Sequence, residues 1–562
     1  MIRIYAQPYI IAIFLAILII GGCRQSIKPR GRATLALING KVWTVDENQP
    51  LAEAVAVQGD RIIAVGTTEQ VQPFIDETTQ VIDLKGKLVL PGFIDAHTHF
   101  MDAGLMLLGI DLRPARDAQQ FARLIKERAD FLPAGEWILG GNWDHERWPV
   151  KEHPRKELIN PFTPDHPVFV SRLDGHMALA NSKALQLAGI TRDTPSAPGG
   201  TIAKDPTTGE PTGILMDRAM ELIERVIPPP SAELRLKGVE AAMDEAKRLG
   251  VTSIHDNTDS LAFDTYQKLW KEGRLTVRIY MWRGIEEFEK LSSLGFSTGF
   301  GDNMLKLGAI KVFADGSMGA GTALFFEPYN DRPDTSGLSI HTPQELERMF
   351  IAVDKAGWQI ACHAIGDKAN HMVLNAVEKM IKANGERDRR FRIEHAQVVP
   401  PEDLRRYSQL QVIASVQPSH CIDDMNWAEK RIGPERCRYA YQWKSFLDAG
   451  VKIAGGTDWP VEPLNPMLGL YAAVTRQTPE GSPPGGWLPE QRLTLEEAIR
   501  LYTLGSAFAA FEEDIKGSIE EGKMADMVVL SHDLFKVPPP EILDTEVEMT
   551  LLGGQIIYHR ER

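Results

Sequence analysis

The sequence predicts an α/β fold: a (β/α)8 barrel accompanied by a small β-sandwich built from both termini. Three observations predict it. From about residue 233 to residue 458, helical periods alternate with short apolar, β-branched strands. That is the cadence of a parallel sheet covered by helices, and this many units favour a closed barrel over an open sheet. Two groups of β-like segments broken by turn dipeptides flank that stretch, over 34–90 and 515–562. Several of the apolar strands close on a single polar residue, and a barrel of this kind carries its reactive groups at the C-terminal ends of its strands.

At 562 residues the chain is too long for one small core. Hydrophobic residues make up 43% of it and charged residues 25%, as in a water-soluble globular protein. The net charge of −14, with no Lys/Arg block and no zinc-finger spacing, speaks against nucleic acid as a partner. Arg3 precedes an apolar run from Tyr9 to Ile20 that ends in Gly21-Gly22-Cys23, the layout of an export signal. The run falls short of the roughly 20 apolar residues that a spanning helix needs. Ile20-Gly21-Gly22-Cys23 resembles a bacterial lipobox, so residues 1–22 are expected to be a lipoprotein-type signal peptide, 23–33 a polar linker, and Cys23 a lipid anchor to a membrane. The expected location is the bacterial cell envelope, exported, and Arg24 after the cysteine favours the outer membrane where Gram-negative sorting applies. An uncleaved anchor is the other reading. Cys362, Cys421 and Cys437 are odd in number and lack C-x-x-C spacing, which argues against a disulfide framework or a cysteine zinc site. Cys362 is expected as a small buried thiol facing away from His363.

In chain order, 34–90 and 515–562 form the composite β domain and 91–514 the barrel. Asn39-Gly40, Gly59-Asp60, Lys85-Gly86 and Gly553-Gly554 read as hairpin turns. An insertion at about 110–230 lacks the barrel cadence and is rich in Trp, Pro and Gly; it reads as irregular cover over one barrel end, carrying the substrate determinants. Glu233 to Leu249 is helical in period and stops at Gly250, before strand VTSIHD. Thr342 caps the next recognisable helix, with Pro343 at its first position and Glu345 completing a capping box; strand WQIACHA follows Gly357. Helices over about 368–384, 402–409 and 438–449 precede strands FRIEHA, VIASVQP and VKIAGGTD.

The stretch PGFIDAHTHF places His97 and His99 two apart. In an extended strand they face the same way and can close on one metal ion, with Asp95 on the same face. Lys311, His363, His395 and Asp458 each close an apolar run. Any one of them alone reads first as a paired core group, but four such endings beside H-x-H reverse that and point to a metal site. His255 also ends a strand.

These residues lie in motifs that resemble the amidohydrolase superfamily, specifically its amidohydrolase 3 branch, which includes N-substituted formamide deformylase-like enzymes. The match runs through LINGKVWTVD, PGFIDAHTH, DGHMALANSKAL, KVFADGSMGAGTA, HAIGD, RIEHAQ, GGTDWPV and EEGKMADMVVL, nearly the whole chain after the signal. The resemblance implies a TIM-like metal-dependent hydrolase barrel with two divalent metal ions, zinc by analogy. His97, His99 and Asp458 would bind one metal, His363 and His395 the other, and a CO2-derived carbamate on Lys311 would bridge them. A lysine ammonium has only donors, so Lys311 fits beside cations only as the carbamate. Asp458 would be the general base toward a metal-bound hydroxide that attacks an N-acyl or N-formyl amide, a small-molecule substrate with a non-peptide C–N bond. His176 is a candidate catalytic or substrate-binding residue, against the alternative of a capping turn. Trp143, Asp144 and Trp148 are candidates for a substrate-binding wall, against that of a satellite core. Asp315 and Ser317 read as a structural turn and His255 as a supporting group. A deaminase would carry H-x-x-E, and Gly366 stands at that position. A cyclic-amide or ester hydrolase with the same metals, and a lipid-anchored binding protein without turnover, are the alternatives; assembly as a homodimer is left open.

Overall fold

The computed structural model describes residues 31–145, 148–172, 177–196 and 200–561. The expected signal peptide, Cys23 and His176 lie outside the described residues.

Eight parallel strands form the centre: β1 (Phe93–Thr98), β2 (Val251–Asn257), β3 (Arg278–Gly284), β4 (Leu305–Phe313), β5 (Gln359–Ala364), β6 (Arg392–His395), β7 (Ile413–Val416) and β8 (Ile453–Gly455). Each pairs with the next in sequence order, so the sheet is a barrel whose one seam lies between β8 and β1. Just past β8 that seam is stitched from both sides. Asp458 N–H donates to the His97 carbonyl and His99 N–H to the Trp459 carbonyl, both at 2.8 Å. The Asp95 carboxylate, fully buried, accepts from Thr457 N–H (3.0 Å), the Thr457 hydroxyl (2.6 Å) and His97 N–H (3.1 Å). Gly456 makes this approach feasible, because a Cβ there would stand 2.6 Å from the His97 nitrogen and 2.8 Å from Asp95 Oδ1.

The helices between strands form where the sequence places caps. Thr342 and Glu345 make the reciprocal capping box of Pro343–Lys355, and the helix Asp367–Asn384 stops at Gly385, whose φ of 80° suits glycine. Phe350 from the first of these packs edge-on against Phe391 at the foot of β6, with ring centroids 5.0 Å apart. Of the helix expected over 438–449 only Trp443–Asp448 forms, and a separate helix that the sequence reading did not expect, Ala428–Cys437, precedes it.

The β domain is a sandwich of two sheets. One orders Arg61–Gly66, Ala54–Gln58, Leu35–Ile38 and Gln80–Asp83; the other orders Gln555–His559, Val547–Leu552, Met527–Leu530, Leu88–Pro91, Lys41–Trp43 and Leu51–Ala52. Strands from the two chain ends are therefore neighbours in one sheet, and Leu37, Val57, Val89, Met527 and Leu551 share one buried core between the sheets. The turns at Gly59-Asp60 and Gly553-Gly554 close hairpins as expected, pairing Gln58 with Arg61 and Leu552 with Gln555. Asn39-Gly40 and Lys85-Gly86 do not: the strands on either side of each belong to opposite sheets. At Asn39-Gly40 only Asn39 has positive φ (54°), whereas a type I′ hairpin needs it at both positions. The two dipeptides lie side by side at one corner, where Leu84 N–H donates to Ile38 O, Gly86 N–H to Asn39 O and Lys41 N–H to Lys87 O. A parallel strand pair thus crosses between sheets without losing its ladder.

The insertion is not irregular. It carries a six-stranded mixed sheet, ordered Gly200–Lys204, Pro211–Asp217, Met177–Ala180, Val168–Arg172, Ile138–Trp143 and Ile110–Asp111, with the helix Ala118–Phe131 against it. One of its strands, Ile138–Trp143, is interrupted by Gly140 and Gly141 (φ 109° and 135°), which hid it from a periodicity reading.

Candidate metal centre

His97 is the penultimate residue of β1, and His99 begins the helix Phe100–Leu108 directly beyond it. The His97 ring is 1% exposed. Its Nδ1 lies 2.8 Å from Glu394 Oε2, so Nδ1 carries the proton and donates to that carboxylate, and Nε2 presents its lone pair to the barrel mouth. Glu394 is itself held by Arg392 (Nε to Oε1, 2.9 Å), whose guanidinium also donates to the Ala96 carbonyl, the Ser415 hydroxyl and His255 Nδ1 (2.8, 2.9 and 2.7 Å). Burial alone would raise the Glu394 carboxyl, but Arg392, helped by His97, draws it down to about 2. This buried chain of charge orients His97 from behind. His255 belongs to it as an acceptor, as the sequence reading anticipated for a supporting group.

Asp458, 8% exposed, follows β8 and gathers the other donors. Its Oδ1 is 3.3 Å from His99 Nε2 and 3.6 Å from His97 Nε2, and its Oδ2 is 3.9 Å from His420 Nε2. His395, the last residue of β6, stacks on His420 with ring centroids 5.9 Å apart and planes 6° from parallel. The result is two groups of potential ligands, His97/His99/Asp458 and His395/His420/Asp458, each with its donor atoms within 4.8 Å of one another and with Asp458 in common. His363 sits beside them, its ring centroid 4.5 Å from that of His395, but its Nε2 lies 3.1 Å from the Gly316 carbonyl, which leaves Nδ1 for the site. Lys311 Nζ is 3.0 Å from His97 Nε2, between the rings of Trp282 and Phe313.

The donor set suits a divalent cation. Burial, reinforced by Lys311, pushes His97 down to about 4 and His363 to about 3, so both imidazoles are neutral at neutral pH, the form that ligates. Burial would raise Asp458, but the surrounding imidazoles hold it well below the usual range, so it is ionised. Among the described residues His395 Nδ1, His420 Nε2 and Asp458 Oδ1 are buried without a hydrogen-bond partner, a costly state that a bound cation relieves for any of them facing it. Burial also lowers Lys311, favouring the neutral amine.

His420 had escaped the sequence reading. It lies four residues beyond the end of β7, in the helix Pro418–Asp424, where a search for polar strand ends does not look. Glu394 and Arg392 were missed because within RIEH only the terminal histidine was read as chemistry. Asp315 is a scaffold: its carboxylate accepts from the N–H groups of Leu324, Ile365 and Gly366. Trp143 and Trp148 do not form a substrate wall. Both indoles are buried in the insertion core and donate to the Val170 and Ala115 carbonyls. Asp144 pairs with Arg172 at 2.9 Å.

The centre opens into a cavity of about 690 Å³. Its walls are His363, His395, Gln397, His420 and Asp458, the loop 317–319 after β4, the segment from Asp423 to Arg431 after β7, and Val461-Glu462 after β8. No described residue of 110–230 lines it, so its visible substrate-facing walls come from the loops of β4 to β8 and not from the insertion.

Known proteins resemble the chain along its length. It is 37% identical over 539 residues to Protein LONG AFTER FAR-RED 3 of Arabidopsis thaliana, covering 94% of this chain and 92% of that one. It is 28% identical over 544 residues to the N-substituted formamide deformylase of Arthrobacter pascens, covering 94% and 98%. Its fold matches the crystal structure of an uncharacterized metal-dependent hydrolase from Pyrococcus horikoshii with a TM-score of 0.77 and 31% identity, over 90% of this chain and 99% of that one. The model of the amidohydrolase family matches residues 80–558, and with that match over this barrel and this histidine–aspartate centre, the chain belongs to the amidohydrolase family.

Proposed function

We propose that the protein hydrolyses a non-peptide C–N bond, that of an N-formyl or N-acyl amine, to the free acid and amine. The observation that carries the reading is the pair of ligand groups sharing Asp458 at the mouth of the barrel. The formamide deformylase of Arthrobacter pascens supports the bond class by its name. His97, His99, His363, His395, His420 and Asp458 would hold two divalent cations, zinc by the nature of the donors. Such cations supply a water of lowered pKa and polarise a carbonyl. Glu394 keeps His97 in the tautomer that presents Nε2. Asp458 takes the proton of the attacking water on a carboxylate oxygen and returns it to the departing nitrogen, which is a poor leaving group until protonated. Lys311, as a neutral amine, attacks CO2: an N–C bond forms, one proton leaves, and a donor becomes a carbamate with two acceptor oxygens.

Metal analysis of the purified protein, with hydrolysis of a panel of N-formyl and N-acyl amines, tests this. Folded protein with neither metal nor turnover would overturn it. Lys311→Ala is expected to lose metal and activity, with partial rescue by a short carboxylic acid; full activity in that variant would refute the carbamate. We further propose a lipid anchor on Cys23 at the cell envelope, checked by fatty-acid labelling of the wild type against Cys23→Ala.

A further inference from the structure

Beyond the metal centre, the cavity wall contributed by the β7 and β8 loops has a chemistry that the hydrolytic reading does not use. Three carboxyl groups stand there: Asp423 and Asp424 at the end of the helix Pro418–Asp424, and Glu462 just past Asp458. Glu462 is 8% exposed and feels Asp423 as its strongest charged neighbour, and Asp424 accepts from the Tyr441 hydroxyl. Neither cation on the cavity answers them. Arg431 is taken by Asp331 at 3.4 Å and by the Gly319 carbonyl at 2.7 Å, and Lys430 is exposed and makes no ion pair among the described residues.

A second observation is independent of the carboxylates. Gln397, in the wall of the same cavity and 4% exposed, leaves its side-chain oxygen without a hydrogen-bond partner among the described residues. A buried acceptor left open costs free energy that a donor from a ligand recovers. The half-buried ring of Trp427 stands on this wall as well, with the Arg431 guanidinium over the ring at 6.0 Å, and an indole attracts a cation. Acceptor oxygens, carboxyl groups that no cation pairs and an aromatic ring together describe a site for a group with several N–H donors and a positive charge, which is an ammonium. Burial and the neighbouring Asp423 push Glu462 up to about 9, a shift that a cation bound beside it would oppose by favouring the carboxylate.

We propose that this wall is a subsite for a protonated amine on the nitrogen-bearing part of the substrate, so that the preferred substrates are mono-N-formyl or N-acyl derivatives of diamines and related cationic amines. The proposal rests on the amide-hydrolase reading for its chemistry, but the subsite can be measured without turnover.

The test uses two compounds of matched length, N-formyl-diaminobutane and N-formylpentylamine, with the metal-loaded protein. Steady-state kinetics is expected to give the cationic compound a kcat/KM about tenfold higher, the scale of one partly buried ion pair plus a ring contact. Glu462→Gln combined with Asp423→Asn, and separately Asp423→Lys, should collapse that ratio toward one, chiefly through KM. Calorimetric titration of the metal-free protein with the same two compounds, where no hydrolysis occurs, reads binding alone. Equal kcat/KM and equal affinity for the two compounds in the wild type, or a preference that survives both variants, would overturn the subsite. Preferential binding of the cationic compound with no hydrolysis of either would support the subsite and count against the amide-hydrolase reading.

Discussion

Asp458 and His395 are non-glycine residues held at φ of 59° and 74°, a region that costs each on the order of 1–3 kcal/mol and is kept only where surrounding structure enforces it. Both lie where a strand has just ended, and the turn aims their side chains at the centre rather than along the barrel wall. His420 completes the second ligand group, and His420→Asn is expected to halve the metal bound per chain, by elemental analysis, while the His97/His99 group keeps its share. Behind the centre, burial and Arg392 hold His255 well below 6.5, so it is neutral when folded and accepts from Arg392. The sign follows from linkage. The unfolded imidazole takes up a proton as pH falls below 6.5 and the folded one does not, so stability is full above 6.5 and declines beneath it, by about 1.4 kcal/mol per pH unit for one proton. Denaturant titrations of metal-free protein between pH 7 and pH 5 should show His255→Gln losing less stability per pH unit than the wild type, by about 1.4 kcal/mol, the share of one proton. The polar strand ends His363 and His395 were legible in the sequence because a single polar residue closing an apolar run stands out. His420 and Glu394 were not: one sits a helical turn past its strand, and the other hides inside one.

The β8–β1 seam shows what an element must give up to let a barrel close. Gly456 supplies nothing but absence, since any side chain there meets the His97 backbone and the Asp95 carboxylate. Gly456→Ala is expected to force the seam apart, lowering stability by about 2–4 kcal/mol and weakening metal retention together. Thermal denaturation and metal analysis of the same sample check both halves. Elements whose start is written in local chemistry, such as the Thr342 capping box, could be read directly from sequence. The corner at Asn39-Gly40 and Lys85-Gly86 could not, because a turn dipeptide fixes local dihedrals but not which sheet the next strand joins. The insertion was misjudged for the opposite reason: its strands of two to seven residues are ordered by each other and by the Trp143 and Trp148 core, not by any period of their own.

At the scale of the whole molecule, the sandwich is fastened beneath the barrel end remote from the metal centre. Arg278 at the start of β3 makes a two-pronged buried pair with Asp526 at 2.7 and 2.8 Å, and Gly92 N–H bonds the Asp526 carbonyl where the sandwich strand Leu88–Pro91 leads into β1. Asp526→Ala strands the Arg278 charge and is expected to cost about 3–5 kcal/mol, measured by denaturant unfolding. The overall plan, barrel plus a sandwich from both termini, was legible because cadence and turn spacing are properties of long stretches. The cavity walls were not, because they come from loops after five different strands that only the closed barrel brings together.

The strand Leu88–Pro91, which leads straight into His97, takes as its neighbour Met527–Leu530, from the far end of the chain. During synthesis its edge therefore stays open until nearly every residue has been made. Sheet contacts so distant in sequence are slow to form, and an open apolar edge is a template for the wrong neighbour. The first metal ligands are thus among the last parts of the molecule to be secured, and chains released early, or crowded while refolding, are apt to find each other before they find their own ends.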